Sequence, residues 1–593
     1  MKKILFILPI LLLFVACNDD FLERYPKTDI TEEVFFSNVQ DLETYTNSLY
    51  SPIGWSYDDK GTDNCFYTEN TELFSMMRGE LNEVTVGKWG GNWGAIREIN
   101  FFMENYSKAE GDEAEINHYV GIARLFRAIR YYELVRRYNN VPWYSSALQT
   151  TDTDLLYKTQ DSRESVVDSI MEDLEFAVEW IKEGSSRTRV NKQVALAVEA
   201  RISLHEGTFR KYNTEFNLPD AEKYIRVAKD VSDKIIARGN YSISYEKYQT
   251  YEPYESLFIS EGLANNPEII LYRDYDKELG VYHNAHALFN YNHGLSNDLM
   301  LSYLYLKEGE TKPLNEVPGY ESMPKYEVLE NRDPRLKQTF MPPGFQAPNS
   351  NRPDVNKLTM GGFSQIKFYP RDRNHLGWGI SYTDVPVIRY AEILLMNAEA
   401  KAELNEINQG DLDATINKIR DRVNMPHLLI TDANNKIDPF LESMYPRVSG
   451  SNKGAILEIR REWRVEFACE GKRYDNLMRW GEGQNLAKNV AGIYLDKLGY
   501  HDMNGDGEPD IAVVADQAGA DAIPQEDLDQ YKLVVYILDG NTFFLSDGDH
   551  GLIQNFSQYN KHSWISPRYY LRPMNQEDML INANLKQTPF WAE

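Results

Sequence analysis

Between residues 114 and 238 apolar side chains recur at helical spacing in one segment after another, and this periodicity limits the chain more than any other feature. In EINHYVGIARLFRAIRYYELVRRY, Ile116, Val120, Ala123, Ile129 and Tyr132 fall at near-helical intervals, and Asn139, Asn140 and Pro142 close the segment. SVVDSIMEDLEFAVEWI, KQVALAVEARISLHEGTFRKY and DAEKYIRVAKDVSDKIIARG repeat the pattern, each ended by Gly, Asn or Pro punctuation. A further pair, PVIRYAEILLMNAEAKAEL and LDATINKIRDRVNMP, places Ala391, Leu394, Leu395, Ala398 and Ala402 on one face, where small alanines let helices approach closely. The expected fold is mainly α: tetratricopeptide-like (TPR-like) helical pairs forming a scaffold, with long irregular loops and a few short strands. A strict repeat of about 34 residues is not visible, so the likeness is one of architecture only. In ILEIRREWRVEF, Ile456, Ile459, Trp463 and Phe467 make a buried stripe. Arg460, Arg461, Glu462, Arg464 and Glu466 then read as a charge network around it, worth little where exposed. Roughly 240 to 380 and 481 to 565 are rich in Gly, Pro, Asn and Tyr, and irregular stretches of that length usually carry function.

A content of 42% hydrophobic and 12% aromatic residues excludes a mainly disordered chain. The formal net charge of −27, with no basic stripe to offset it, repels phosphate backbones and argues against nucleic acid as a partner. Cys65 and Cys469 stand far apart in a long chain, so disulfides do not staple it together. Past residue 17 no apolar run approaches the length of a transmembrane helix.

The N-terminus, MKKILFILPILLLFVACNDD, has a positive start at Lys2 and Lys3, an apolar run from Ile4 to Val15, and Ala16 before Cys17. A helix of that run measures roughly 18 Å, too short for a hydrocarbon core of about 30 Å. The segment reads as a lipoprotein signal spanning residues 1–16, with the mature chain beginning at an acylated Cys17. Two or three acyl chains make a durable anchor. Ordinary secretion with cleavage nearby is the alternative.

Catalytic signatures are missing: H-E-x-x-H, G-x-S-x-G, the P-loop and G-x-G-x-x-G all lack a match. His283 and His286, three apart, have no third placed ligand and read as loop or pocket histidines. Paired carboxylates for glycoside hydrolysis can be neither argued for nor dismissed among 90 acidic residues. DMNGDGEPD is the one metal pattern. Asp502, Asn504 and Asp506 hold positions 1, 3 and 5 of an EF-hand-like loop, Gly507 makes the turn, the Glu508 carbonyl follows, and Asp510 stands at position 9. Val513 replaces the final bidentate Glu, so the expectation is a structural Ca²⁺ loop, the alternative being a solvated Asp/Gly turn. For ligand capture, Trp55 in SPIGWSYDD, Trp89 in VGKWGGNWG and Trp378 in NHLGWGISY lie in Gly-rich stretches where a ring can stand clear of a core. Tyr282, His283, Tyr291 and His293 form a second aromatic loop. Trp93, at helical spacing with Ile96 and Asn100, reads as core. For each ring, burial and ligand contact remain open.

Five segments in order resemble the SusD/RagB family of surface nutrient-binding lipoproteins. They are CNDDFLERYPKTDITEEVFFSN, ARLFRAIRYYELVRRYNNVPWY, VPVIRYAEILLMNAEAKAELN with INKIRDRVNMP, ILEIRREWRVEFACEGKRYDNLMRW, and YYLRPMNQEDMLINANLKQTPFW. The resemblance implies a SusD-like, α-rich lipoprotein that captures glycan fragments, or peptides as RagB-like proteins do, as a lid on a SusC-like TonB-dependent transporter. Asn18, Asp19 and Asp20 resemble the acidic tag that sends lipoproteins of Bacteroidetes to the outer cell surface. The implied organisation is a signal at 1–16, an N-terminal region with TPR-like helices at 17–240, and a C-terminal region at 241–593 with the ligand-binding loops and the calcium-like loop. The leading expectation is a non-catalytic, lipid-anchored glycan receptor of the outer membrane that needs no cofactor to function. A surface glycoside hydrolase and a protein-only helical adaptor are the competing classes.

Overall fold

The computed structural model of the chain describes residues 35–50, 53–67, 71–289, 293–538, 542–555 and 562–592. Cys17 and Tyr291, two of the residues singled out from sequence, lie outside them. The helical periodicity becomes a series of packed helices. Glu113–Tyr138 starts where the Asp112 side chain accepts from the amides of Ala114 and Glu115, and it stops where Asn139 turns to a positive φ of 67°. Arg163–Trp180 is capped by Ser162, and Lys192–Tyr212 by Asn191. Ala221–Arg238 ends on Gly239 at φ 66°, the left-handed geometry that suits glycine at a helix end. Helix 113–138 packs on 163–180, and 192–212 on 221–238, giving the expected pairs. Tyr390–Glu403 packs against both 221–238 and 192–212, so helices from the two halves of the chain share one core. That core runs from Phe36 to Leu585.

Two helices begin or break differently from expectation. Pro386 to Arg389, read from sequence as the start of a helix, belongs to the strand Val385–Arg389, buried on both faces and antiparallel to Ile269–Arg273. Its β-branched run and Pro386, which disfavours a helical residue before it, account for the change. The segment LDATINKIRDRV splits into Gln409–Ala414 and Ile416–Asp421, because Thr415 leaves helical geometry at φ −127° and ψ −88°. The long irregular regions hold short strands: Cys65–Tyr67 pairs antiparallel with His293–Leu295, and Gly499–His501, Ile511–Val514 and Val534–Ile537 form a small mixed sheet. In the first pair Gly294 is required by close approach, since a Cβ there would stand 2.0 Å from the Met360 carbonyl oxygen.

The charge network of Lys453–Glu466 is the main correction. Arg460, Arg461, Glu462, Arg464 and Glu466 are all buried, not arrayed on an exposed rim. Ile456, Ile459, Trp463 and Phe467 are buried as expected. Glu466 is the hub: its carboxylate takes Arg389 Nη1 at 2.6 Å, Arg422 Nη2 at 2.5 Å and Arg335 Nη1 at 3.0 Å. Glu268 shares Arg389 and Arg422, Glu470 shares Arg389 and Lys367, and Asp333 and Glu462 share Arg335. The carbonyl of Glu466 also accepts from the Tyr254 hydroxyl at 2.7 Å and Arg389 Nη2 at 2.9 Å. Burial alone would raise the Glu466 carboxyl, but the three guanidinium groups override it and hold it well below the usual carboxylate range. Among the described residues Cys65 and Cys469 are free and buried, and no helix is long and apolar enough to cross a membrane.

Removing one partner from such a network leaves buried charge unpaired, which typically costs about 3–5 kcal/mol. Glu466→Gln is expected to lower unfolding free energy by that amount in urea titrations. A loss under about 1 kcal/mol, the range of exposed pairs, would mean that water reaches the network.

Candidate functional site

Trp55, Ser56, Tyr57 and Asp58 from one loop meet Tyr275, Tyr282, His283 and Asn284 from another around a hollow of about 400 Å³. Trp55 stands edge-on to Tyr275 at 5.8 Å and to His283 at 6.2 Å, with Tyr57 at 5.4 Å. The second loop is built tightly. Asp276 and Val281 exchange backbone hydrogen bonds, the Leu279 amide donates to the Asp276 carboxylate, and the Tyr282 hydroxyl donates to the Lys277 carbonyl at 3.1 Å. His283 then pairs with Ser381 through its backbone, which brings residues 377–384 alongside.

Those neighbours place Trp378. Its flanking residues Gly377 and Gly379 have φ of 154° and 65°, conformations that L side chains rarely adopt, and the Gly379 amide donates to Asn284 Oδ1 of the hollow. The result is a tryptophan 72% exposed beside the hollow. Tyr282, Leu279, Val281 and Ile380 are exposed in the same pair of segments. A cluster of exposed aromatic and aliphatic groups around a polar-floored hollow marks a binding surface.

The polar groups behind the rings are fixed. The His283 ring accepts from the Ala285 amide at Nδ1, 3.1 Å, and meets the Thr383 carbonyl and hydroxyl at Nε2, 2.9 and 3.1 Å. Burial lowers its pKa to about 4, so it is neutral and has no nitrogen left for a metal. His286 is three residues on and no metal pair forms; among the described residues no three His, Cys, Asp or Glu side chains gather as a metal group. Asp384 accepts from the Tyr275 amide at 3.2 Å and the Leu263 amide at 2.9 Å, and burial pushes its carboxyl up to about 7. On the other side, Asp59 accepts from the amides of Cys469 at 2.7 Å and Gly471 at 3.0 Å, tying the Trp55 loop to the end of helix 453–466.

The other residues chosen from sequence go elsewhere. His293 is 4% exposed in its strand, its Nε2 3.3 Å from Gln365 Oε1, while Gln365 donates to the Tyr57 carbonyl at 2.6 Å. It therefore backs the hollow and does not line it. Trp89 opens the helical turn before Trp93–Asn105 and lies in a separate groove of about 270 Å³ with Trp93, Tyr144, Leu156 and Ile581. It packs edge-on to Trp93 at 5.2 Å and Tyr138 at 5.8 Å, so it does not join Trp55 and Trp378. Trp93, expected as core, is half-buried in that groove. Tyr57, Asp58, Tyr275 and Asn284 were missed by the sequence reading. The W-x-Y spacing of Trp55 and Tyr57 was the available signal for the first.

In the 502–510 loop the turn expected at Gly507 is present, at φ 90°. Asp502 accepts from the amides of Asn504, Gly505 and Gly507, Asp506 from that of Glu508, and Asp510 from that of Met503. The side chains are thus spent first on folding the loop, with further lone pairs remaining on each oxygen.

In chemical terms the hollow offers flat faces, an amide and a single lining carboxylate, Asp58. Two placed carboxyl groups are what glycoside hydrolysis ordinarily needs. A helical scaffold carrying an aromatic, non-basic binding surface on its loops is what fold and hollow define.

The comparisons with known proteins assign that scaffold. Residues 267–591 match the model of the SusD family, and residues 20–204 match a model described as "Starch-binding associating with outer membrane". The chain belongs to the SusD family. It is similar to SusD-like protein P2 of Formosa agariphila, 24% identical over 536 residues covering 82% of this chain and 91% of that one. A SusD-like protein of Bacteroides ovatus is 26% identical over 272 residues, 43% of this chain and 49% of that one. Among solved structures, a SusD-like carbohydrate-binding protein of Bacteroides fragilis superposes with a TM-score of 0.66 at 21% identity, covering 93% of this chain and all of that one.

Position separates the two kinds of tryptophan. Trp378→Ala is expected to change unfolding free energy by no more than about 0.5 kcal/mol, as exposed positions do. Trp89→Ala, which removes a packed ring, is expected to cost about 2–3 kcal/mol. Urea denaturation of both variants checks the assignment, and equal losses would contradict it.

Proposed function

We propose that this protein is a non-catalytic cell-surface receptor that binds glycan nutrients, oligosaccharide or polysaccharide, in the Trp55–Tyr282 hollow and on Trp378 beside it. It hands them to a SusC-like TonB-dependent transporter for import. The observation that carries this reading is the outward Trp378 ring held between two glycines at positive φ beside a hollow of further rings. An exposed flat ring stacks on the C–H face of a pyranose, while Asp58, Asn284 and Ser56 are within the same hollow to meet hydroxyls. The net charge of −27 favours neutral over anionic chains. The names of similar proteins support the ligand class: the structural neighbours include one called carbohydrate-binding and another called laminarin-binding, the latter at a TM-score of 0.52. Attachment through an acylated Cys17 to the outer membrane fits the signal-like N-terminus and the outer-membrane description of the matching family model.

The test is an affinity screen of the protein against laminarin, starch, other polysaccharides and a peptide panel, with pull-down of the membrane-anchored form. At least one polysaccharide is expected to bind, with Trp378→Ala weakening it about thirtyfold, the equivalent of about 2 kcal/mol. A large β-barrel protein is expected to co-purify, and Cys17→Ala should release the receptor from membranes. Binding of peptides alone, turnover of a bound glycan, or unchanged affinity in Trp378→Ala would each contradict the proposal.

For the 502–510 loop we propose a structural Ca²⁺, on the strength of the Asp502, Asn504, Asp506, Glu508 carbonyl and Asp510 spacing. An ion that binds only the folded state raises the melting temperature with concentration. Calorimetric titration should show one bound Ca²⁺, lost in Asp502→Ala with Asp506→Ala. No uptake at millimolar calcium would reduce the loop to a self-bonded turn.

A further inference from the structure

The loop that carries Trp378 is closed at its base by one buried side chain. His375, 1% exposed, ends the helical turn Arg373–His375, which Asp372 caps. Its Nδ1 accepts from the Tyr382 amide at 3.3 Å, and its carbonyl accepts from the Ser381 hydroxyl at 2.7 Å. The ring lies against that of Tyr382, with centroids 3.9 Å apart. Nε2 stands 2.8 Å from Glu261 Oε1, an oxygen that also accepts from the Tyr248 hydroxyl at 3.2 Å. A nitrogen that accepts from a backbone amide carries no hydrogen of its own, so the ring hydrogen is on Nε2 and is donated to Glu261.

These contacts join three parts of the molecule. Glu261 follows the buried helix Pro253–Ile259 and ties the imidazole to the scaffold. Ser381 exchanges backbone hydrogen bonds with His283, which ties the far end of the loop to the hollow. His375 links the two ends, and Trp378 stands between them. Gly377 and Gly379 give the backbone around that ring more conformational freedom than other residues would, and a ring 72% exposed has little packing of its own to settle its angle. The direction in which the loop leaves the scaffold is therefore set at its base. An apolar residue of similar size would fill the space there without supplying the acceptor for Tyr382 or the donor for Glu261.

We propose that His375 is a positioning residue for ligand capture: its imidazole closes the 375–382 loop and fixes the angle at which Trp378 meets a ligand. The proposal rests on the reading of Trp378 as a ligand contact, and holding that ring ready before the ligand arrives lowers the ordering cost of binding. His375 itself touches no ligand.

The test has one arm without ligand and one with it. In the ligand-free protein, amide exchange across 376–382 is expected to become about tenfold faster in His375→Ala and in His375→Leu, with the helices unchanged. His375→Asn, which offers an acceptor where Nδ1 stands, should recover most of the protection. In the second arm, affinity for laminarin and starch is measured in a double-mutant cycle. His375→Ala should weaken binding about tenfold when Trp378 is present and add no further loss in Trp378→Ala, because the ring it positions is gone. Unchanged exchange in His375→Ala, full protection in His375→Leu, or equal losses of affinity with and without Trp378 would each overturn the proposal. Faster exchange at 376–382 with neither polysaccharide bound to the unaltered protein would support the loop closure and count against the receptor reading instead.

Discussion

Everything that places the hollow depends on the buried carboxylate of Glu466. In the low-dielectric core it binds Arg335, Arg389 and Arg422, and each of these reaches a second acid, so that charge is matched across elements far apart in sequence. A network like this adds little net stability over an apolar core of the same volume, yet it tolerates few alternative arrangements, because any slip strands a charge. Arg389 ends the strand Val385–Arg389, whose preceding residues Thr383 and Asp384 hold His283 and the Tyr275 backbone. The turn after Glu466 supplies the amides of Cys469 and Gly471 that grip Asp59 and with it the Trp55 loop. Both halves of the aromatic hollow are thus referred to one helix end.

This division of labour explains why the loops can be long. Rigid helical pairs and the ionic hub fix the ends of irregular segments, and within them local devices finish the job: the Asp276–Val281 turn and the two positive-φ glycines beside Trp378. Aromatic side chains can then face solvent without being drawn into the core. The hollow gains flat apolar surface at low entropic cost, since its rings and its neutral His283 are already held.

Much of the scaffold was legible because helical periodicity is a local signal. Helices 113–138, 163–180, 192–212 and 221–238 follow it closely, with caps at Asp112, Ser162 and Asn191. The strand at 385–389 was hidden by the helix that continues it, though Pro386 and the β-branched run were the clue. Burial of Arg460 to Glu466 could not be read locally, because their partners Arg335, Arg389, Glu403 and Asp438 come from other segments. Of the candidate ligand rings, Trp55 and Tyr282 meet in one hollow, with Trp378 on the neighbouring segment that Gly379 ties to Asn284, while Trp89 and His293 lie elsewhere: composition marks a ring as loop-borne but not which loops meet.

The central claim is that ligand capture occurs where the segments fixed by Thr383, Asp384 and Asp59 converge. Hydrogen exchange of the protein with and without its tightest-binding polysaccharide measures this directly. Protection is expected in segments 55–59, 275–284 and 377–384, with residues 89–97 and 578–585 unchanged. Protection confined to the Trp89 groove, with the hollow segments unaffected, would contradict the account.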